Sequence, residues 1–128
     1  MRYLLDTHTM LWWVNEYEKL SPQVKAILLN NENELFFSIA SLWETAIKIS
    51  IGKLSGLDGG IRVLLSKIDI MPVSMLPVTT NHIRIVEALP FIHRDPFDRI
   101  IIATAKTEEM TILSVDENIF KYDVLTVW

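Results

Sequence analysis

The residues of this chain that could do chemistry are mainly acids. Asp6 closes the apolar run RYLLD, Glu44 sits within SLWETAIK, Asp95 and Asp98 stand three apart in HRDPFDRI, and Asp116 follows TILSV. Each has an ordinary reading. Acids are depleted inside strands, so Asp6 belongs at a strand end, either as a helix cap in DTHT or as a metal ligand. Ser41 and Glu44 have the spacing of a capping box, and Glu44 precedes Lys48 by four, a favourable surface ion pair. Asp95 before Pro96 reads as an N-cap with proline at the first helical position. Asp98 then falls at the third helical position. The helix dipole favours an acid there, but glutamate or glutamine caps better. Asp116 in VDEN suits a turn or the cap of a short helix.

Jointly the acids ask for more. Asp6, Glu44, Asp98 and Asp116 come from four separate segments. If those segments meet at one edge of a sheet, unscreened carboxylates raise one another's pKa. A hard divalent cation with oxygen ligands removes that cost. Mg²⁺ or Mn²⁺ suits such a set, whereas zinc favours nitrogen and sulfur. The chain has no cysteine, and His8, His82 and His93 show no HExxH or related spacing. His8 reads as a surface or loop residue and His82 as ordinary packing or exposure.

The elements that would position these acids alternate in type. Apolar runs at 2–6, 34–39, 70–73, 111–116 and 124–128 read as strands. Helices are expected over 9–15, 21–31 (Ser21 as cap and Pro22 at the first position), 41–54, 60–68, 79–89 and 96–109. GLDGG at 56–60 reads as a turn. Strands alternating with helices imply an α/β domain with a mostly parallel sheet covered on both faces. Ligands of such sheets bind beyond the carboxyl ends of the strands.

With 128 residues, half of them hydrophobic, the chain fits one domain with a sound core. The lack of cysteine excludes disulfides and suits a reducing compartment. MRYLLD is too short and too soon charged for a signal peptide. No apolar run approaches the roughly 18 residues of a membrane span. The expected location is the cytoplasm. A net charge of −4 disfavours extended, nonspecific duplex binding. A metal-dependent site escapes that objection, because the ions themselves bind phosphate.

In order along the chain, LLDTH (4–8), SLWETAIK (41–48), DPFDRIIIATA (95–105) and ILSVDENIF (112–120) resemble the PIN-domain nucleases, most of all the VapC-like toxins of bacterial toxin–antitoxin modules. The resemblance spans essentially the whole chain, so residues 1–128 are expected to form a single nuclease domain. It implies a three-layer α/β/α sandwich with an about five-stranded parallel sheet. It implies a Mg²⁺- or Mn²⁺-dependent endoribonuclease whose acidic cluster is Asp6, Glu44, Asp98 and Asp116. Asp6 and Asp98 are expected as direct ligands, and Glu44 and Asp116 as ligands of a second ion or through water. Thr7 and Ser114 would supply supporting hydrogen bonds. Asp95 departs from the pattern and stays an alternative beside the metal. Arg99 and Lys48 would either contact phosphate or be solvated helix charges.

The implied partners are an RNA substrate, a small antitoxin and a second copy of the chain. Trp12, Trp13, Ile27, Leu28, Trp43 and Ile47 are candidates for an antitoxin groove or a homodimer face, against the alternative that they are core. Two other readings stand beside the nuclease. One is a receiver-like Mg²⁺-binding signalling domain, which needs an aspartate at the end of a middle strand that ELFFSIAS does not supply. The other is a catalytically inactive module that keeps the fold for interaction.

Overall fold

Successive strand side chains point to opposite faces of a sheet, and here both faces are buried. Tyr3, Leu5, Leu35, Phe37 and Leu113 enter one core with Met10, Leu11, Val24, Leu28, Leu64 and Ile68. Leu4 and Ile112 enter a second core with Ile101, Ile102, Ala105, Ile119 and Tyr122, against which Phe36 packs. A computed structural model describes every residue from Met1 to Trp128. It shows five strands, β1 (Arg2–Leu5), β2 (Glu34–Ser38), β3 (Ser74–Leu76), β4 (Thr111–Leu113) and β5 (Thr126–Val127). All four pairings are parallel, and the order across the sheet is β3-β2-β1-β4-β5.

Seven helices complete the three layers. They are α1 (Thr7–Asn15), α2 (Pro22–Leu29), α3 (Ile39–Ser50), α4 (Gly60–Asp69), α5 (Thr80–Ala88), α6 (Pro96–Glu108) and α7 (Glu117–Phe120), with one 3₁₀ turn at Tyr17–Lys19. The first core draws on α1, α2 and α4, and the second on α6 and α7. The order is that of a doubly wound sheet, in which the chain leaves β1 towards β2 and later returns on its other side to β4. That reversal leaves a crevice at the carboxyl ends of β1 and β4. A receiver-like domain would instead have the order 2-1-3-4-5, so that reading is not retained.

Several expected boundaries move, for local reasons. α3 begins at Ile39, because the Ser38 hydroxyl accepts the Ala40 N–H at 3.1 Å. Ser41 is therefore interior to the helix, and the expected capping box with Glu44 does not form. α3 also ends at Ser50 rather than 54. Residues 70–73 are not a strand. Ile70 caps α4, Met71 N–H bonds the Ile68 carbonyl at 3.0 Å, and Val73 N–H bonds Met71 at 2.8 Å. Pairing begins only at Ser74, beside Phe36. β4 and β5 are shorter than expected. The GLDGG turn is as read: Gly59 caps α4 with φ +85°, where a Cβ would lie 2.2 Å from Val63 Cγ2.

Candidate metal centre

Asp6 follows β1 directly and caps α1. Its Oδ1 accepts the Thr9 N–H at 2.8 Å, and its Oδ2 accepts the Ser114 hydroxyl. Ser114 also accepts the Asp116 N–H at 3.0 Å, so one hydroxyl ties the end of β1 to the segment after β4. Thr9 Oγ1 adds a bond to the Leu113 carbonyl at 2.8 Å. Asp116 in turn caps α7 through the Asn118 N–H at 2.9 Å. The ordinary cap readings of Asp6 and Asp116 thus hold, and they also fix where each carboxylate lies.

Glu44 arrives from the second turn of α3 and is buried. Its Oε1 accepts Thr7 Oγ1 at 2.6 Å, and its Oε2 pairs with Lys48 Nζ at 2.8 Å. Asp95 caps α6, its Oδ1 accepting the N–H groups of Phe97 at 2.8 Å and Asp98 at 3.3 Å. Asp98 stands in the first turn of α6, with its Oδ2 3.0 Å from His93 Nε2.

Asp6, Glu44, Asp95, Asp98 and Asp116 line one cavity of about 100 Å³, together with Thr7, His8, Lys48 and Ile101. The electrostatic consequence falls on Asp98. Burial, then the charges of Asp95 and Asp116 and more weakly Glu44, push its carboxyl up to about 7 against the His93 hydrogen bond. Burial also raises Asp6, opposed by the bonds from Ser114 and Thr9. A cation among these groups would offset both penalties. The donors are oxygens except for His93, which suits Mg²⁺ or Mn²⁺. The residues therefore fit a hard divalent ion. One donor grouping, His93, Asp95 and Asp98, has its ligand atoms within 4.8 Å of one another.

Two side chains sit elsewhere than expected. Arg99 does not face the acids. Its buried guanidinium donates to the carbonyls of Pro90 at 3.1 Å and Val86 at 3.0 Å and to Tyr122 Oη at 3.1 Å, beneath the Phe91 ring. It is pinned to the segment before α6 and is unavailable to phosphate. His93, given no role in the sequence, is instead beside Asp98. The one signal was its place five residues before Asp98, meaningful only if the chain between them turns back. Of the other histidines, His8 is exposed at the cavity mouth. His82 is fully buried, forms a capping box with Thr79 and lies 2.8 Å from Glu108.

The apolar candidates divide. Leu28 is core, and Trp12, Trp13, Ile27 and Ile47 are half-buried, the first three of these packing on the core. Trp43 is 64% exposed.

Fold and site together define an all-parallel α/β/α domain with an acidic centre at the switch point of its sheet. The PIN domain model matches residues 3–125, and the chain belongs to that family, whose members are generally nucleases that bind divalent metals. No curated protein is similar enough in sequence to match it. Among solved structures, a chain of VapBC2 from Rickettsia felis, bound to a DNA fragment from their promoter, superposes with a TM-score of 0.75 at 16% identity, over 99% of this chain and 98% of that one. DNA-bound VapBC from Salmonella typhimurium gives 0.70 at 15%, over 99% and 97%. FitAcB from Neisseria gonorrhoeae gives 0.65 at 21%, over 98% and 96%. At such identities the likeness is one of fold. No helix is long and apolar enough to cross a membrane.

Proposed function

We propose that residues 1–128 form a single Mg²⁺- or Mn²⁺-dependent endoribonuclease domain, acting in the cytoplasm as the toxin of a toxin–antitoxin pair. The observation that carries this reading is the crowding of five carboxylates around one small cavity, with Asp98 held up to about 7 by burial and by its acidic neighbours. Asp6 and Asp98 would hold the ion directly, and Glu44 and Asp116 a second ion or waters around the first. When bound, the metal supplies Lewis acidity toward a phosphodiester and neutralises charge that develops on it. The chain's own part is orientation. Ser114 and the Thr9 N–H fix both oxygens of Asp6, and Thr7 with Lys48 fixes both oxygens of Glu44. Asp95 starts α6 and so sets where Asp98 stands. Lys48 puts a cation at the cavity wall.

A small antitoxin partner is supported by the fold shared with chains of VapBC2 and FitAcB. A homodimer is supported by the exposed apolar side chains of Ile39 and Trp43 on α3 and Ile83 on α5.

Cleavage mapping on total RNA with Mg²⁺, Mn²⁺ and EDTA tests the activity. Discrete cuts are expected with either ion, lost in EDTA and in Asp6→Asn and Asp98→Asn variants that still fold. Cleavage that ignores EDTA, or full activity in the double variant, overturns the reading.

A further inference from the structure

The acidic cavity opens onto two grooves of opposite character. On the α1 side it shares His8 with a recess of about 80 Å³ that carries Glu16 and no lysine or arginine. On the α3 side it shares Glu44, Lys48 and Asp95 with a groove of about 540 Å³. The second groove holds Lys48, Lys53 and Arg94, with Ile47, Ile51 and Phe97 as its apolar surface. Lys48 is committed to Glu44. Lys53 and Arg94 are exposed, and neither side chain takes part in any ion pair of the protein or donates a hydrogen bond. The Phe97 ring is held edge-on against Trp43, with centroids 5.3 Å apart at 81°.

We propose that this groove seats the single nucleic-acid strand flanking the cleaved bond, with Lys53 and Arg94 on its phosphates and Phe97, Ile47 and Ile51 against its bases. The inference rests on the nuclease reading and deepens it. A chain of net charge −4 with five carboxylates in its cavity repels a polyanion. Ions held in the cavity meet the phosphate at the cleaved bond, but the flanking phosphates lie beyond it and are favoured where free cations locally reverse the field of the acidic chain. Of the two grooves joined to the cavity, only this one supplies them. Its apolar surface favours a single strand over a duplex, because only unpaired bases can turn their faces to a ring and to aliphatic side chains.

The test uses the full chain with Mg²⁺ and a labelled single-stranded RNA oligonucleotide that the wild type cuts. In Lys53→Ala/Arg94→Ala, KM is expected to rise by roughly tenfold with kcat little changed. The log–log dependence of kcat/KM on salt should flatten by about 1.4, the value for two lost single-strand phosphate contacts. Each single variant should give about half that flattening. Thermal melting should be unchanged, because both side chains are exposed. A control, Arg62→Ala/Lys121→Ala, removes the same charge away from the groove and should leave the slope alone. Wild-type cleavage with an unaltered KM and slope in the groove variant, or an equal shift in the control, overturns the groove and leaves the nuclease reading standing. Failure of the wild type to cut any RNA overturns both.

Discussion

His93 Nε2 lies 3.0 Å from Asp98 Oδ2, so the residue that opens HRDPFDRI folds back onto the second acid of its own motif. Asp95 between them is occupied in starting the helix. The two aspartates are therefore unequal. Asp95 is the cap, and Asp98 carries the electrostatic load of the cavity.

That load predicts a pH dependence. Burial and the charges of Asp95 and Asp116 raise the Asp98 carboxyl from 3.8 to about 7 in the folded protein. Between those values the folded state holds a proton that the unfolded chain has released, so stability falls as pH rises through this window and levels off above it. In EDTA, the melting temperature should decline from pH 5 to pH 8 more steeply in wild type than in Asp98→Asn, and the variant should melt higher at pH 8. Mn²⁺ should restore wild type at pH 8 more than at pH 5, because the ion competes with that proton. Parallel pH profiles for the two proteins would show that Asp98 is not the strained group.

Thr7 should matter through Glu44. Its hydroxyl satisfies one oxygen of a buried carboxylate at 2.6 Å, and Thr7→Val leaves that oxygen without a partner. Urea unfolding should show a loss of about 1–3 kcal/mol, with Thr7→Ser close to wild type. A Thr7→Val protein as stable as wild type would mean that water replaces the hydroxyl without cost.

Arg99 should behave as a structural pin. Its guanidinium donates to three carbonyls, of Val86, Pro90 and His93, and to a tyrosine hydroxyl, and it forms no ion pair with a carboxylate. Arg99→Met should cost about 3 kcal/mol or more, since several bonds to one buried charge are lost together. Hydrogen exchange should quicken over residues 90–94. Were Arg99 a phosphate contact instead, the variant would keep its stability and lose salt dependence of cleavage.

Ser41 gives the opposite sign. Its hydroxyl is buried without a partner, inside α3 rather than at its start. Ser41→Ala should be neutral or stabilise by up to about 1 kcal/mol, through relief of desolvation and better helix propensity. A capping role would instead cost about 0.5–2 kcal/mol, and chemical denaturation separates the two outcomes.

Much of this was legible in the residue order. RYLL, ELFFS and TIL are continuous apolar runs because both faces of a parallel sheet are covered, and such runs announce themselves without partners. Ser21-Pro22 and Asp95-Pro96 fix helix starts locally, and both stand where they were read. Asp6, Asp98 and Asp116 could be nominated because each stands beside a strand end or helix start, and Glu44 because its helix was read as opening at Ser41, although it begins at Ile39. What the sequence by itself determined was therefore the element types, their order and the supply of charge.

The tertiary structure alone decided which groups meet. The capping box at Ser41 and Glu44 failed because Ser38, one turn earlier, offered the cap first, leaving Glu44 to Thr7 and Lys48. Arg99 was spent on carbonyls of α5 and of the loop after it, which no local pattern brings to it. His93 found Asp98 only because the chain reverses before α6. Caps and strand propensity are set within a few residues along the chain. Hydrogen-bond partners and mutual charge are set by distance in space, between residues as far apart in sequence as Asp6 and Ser114.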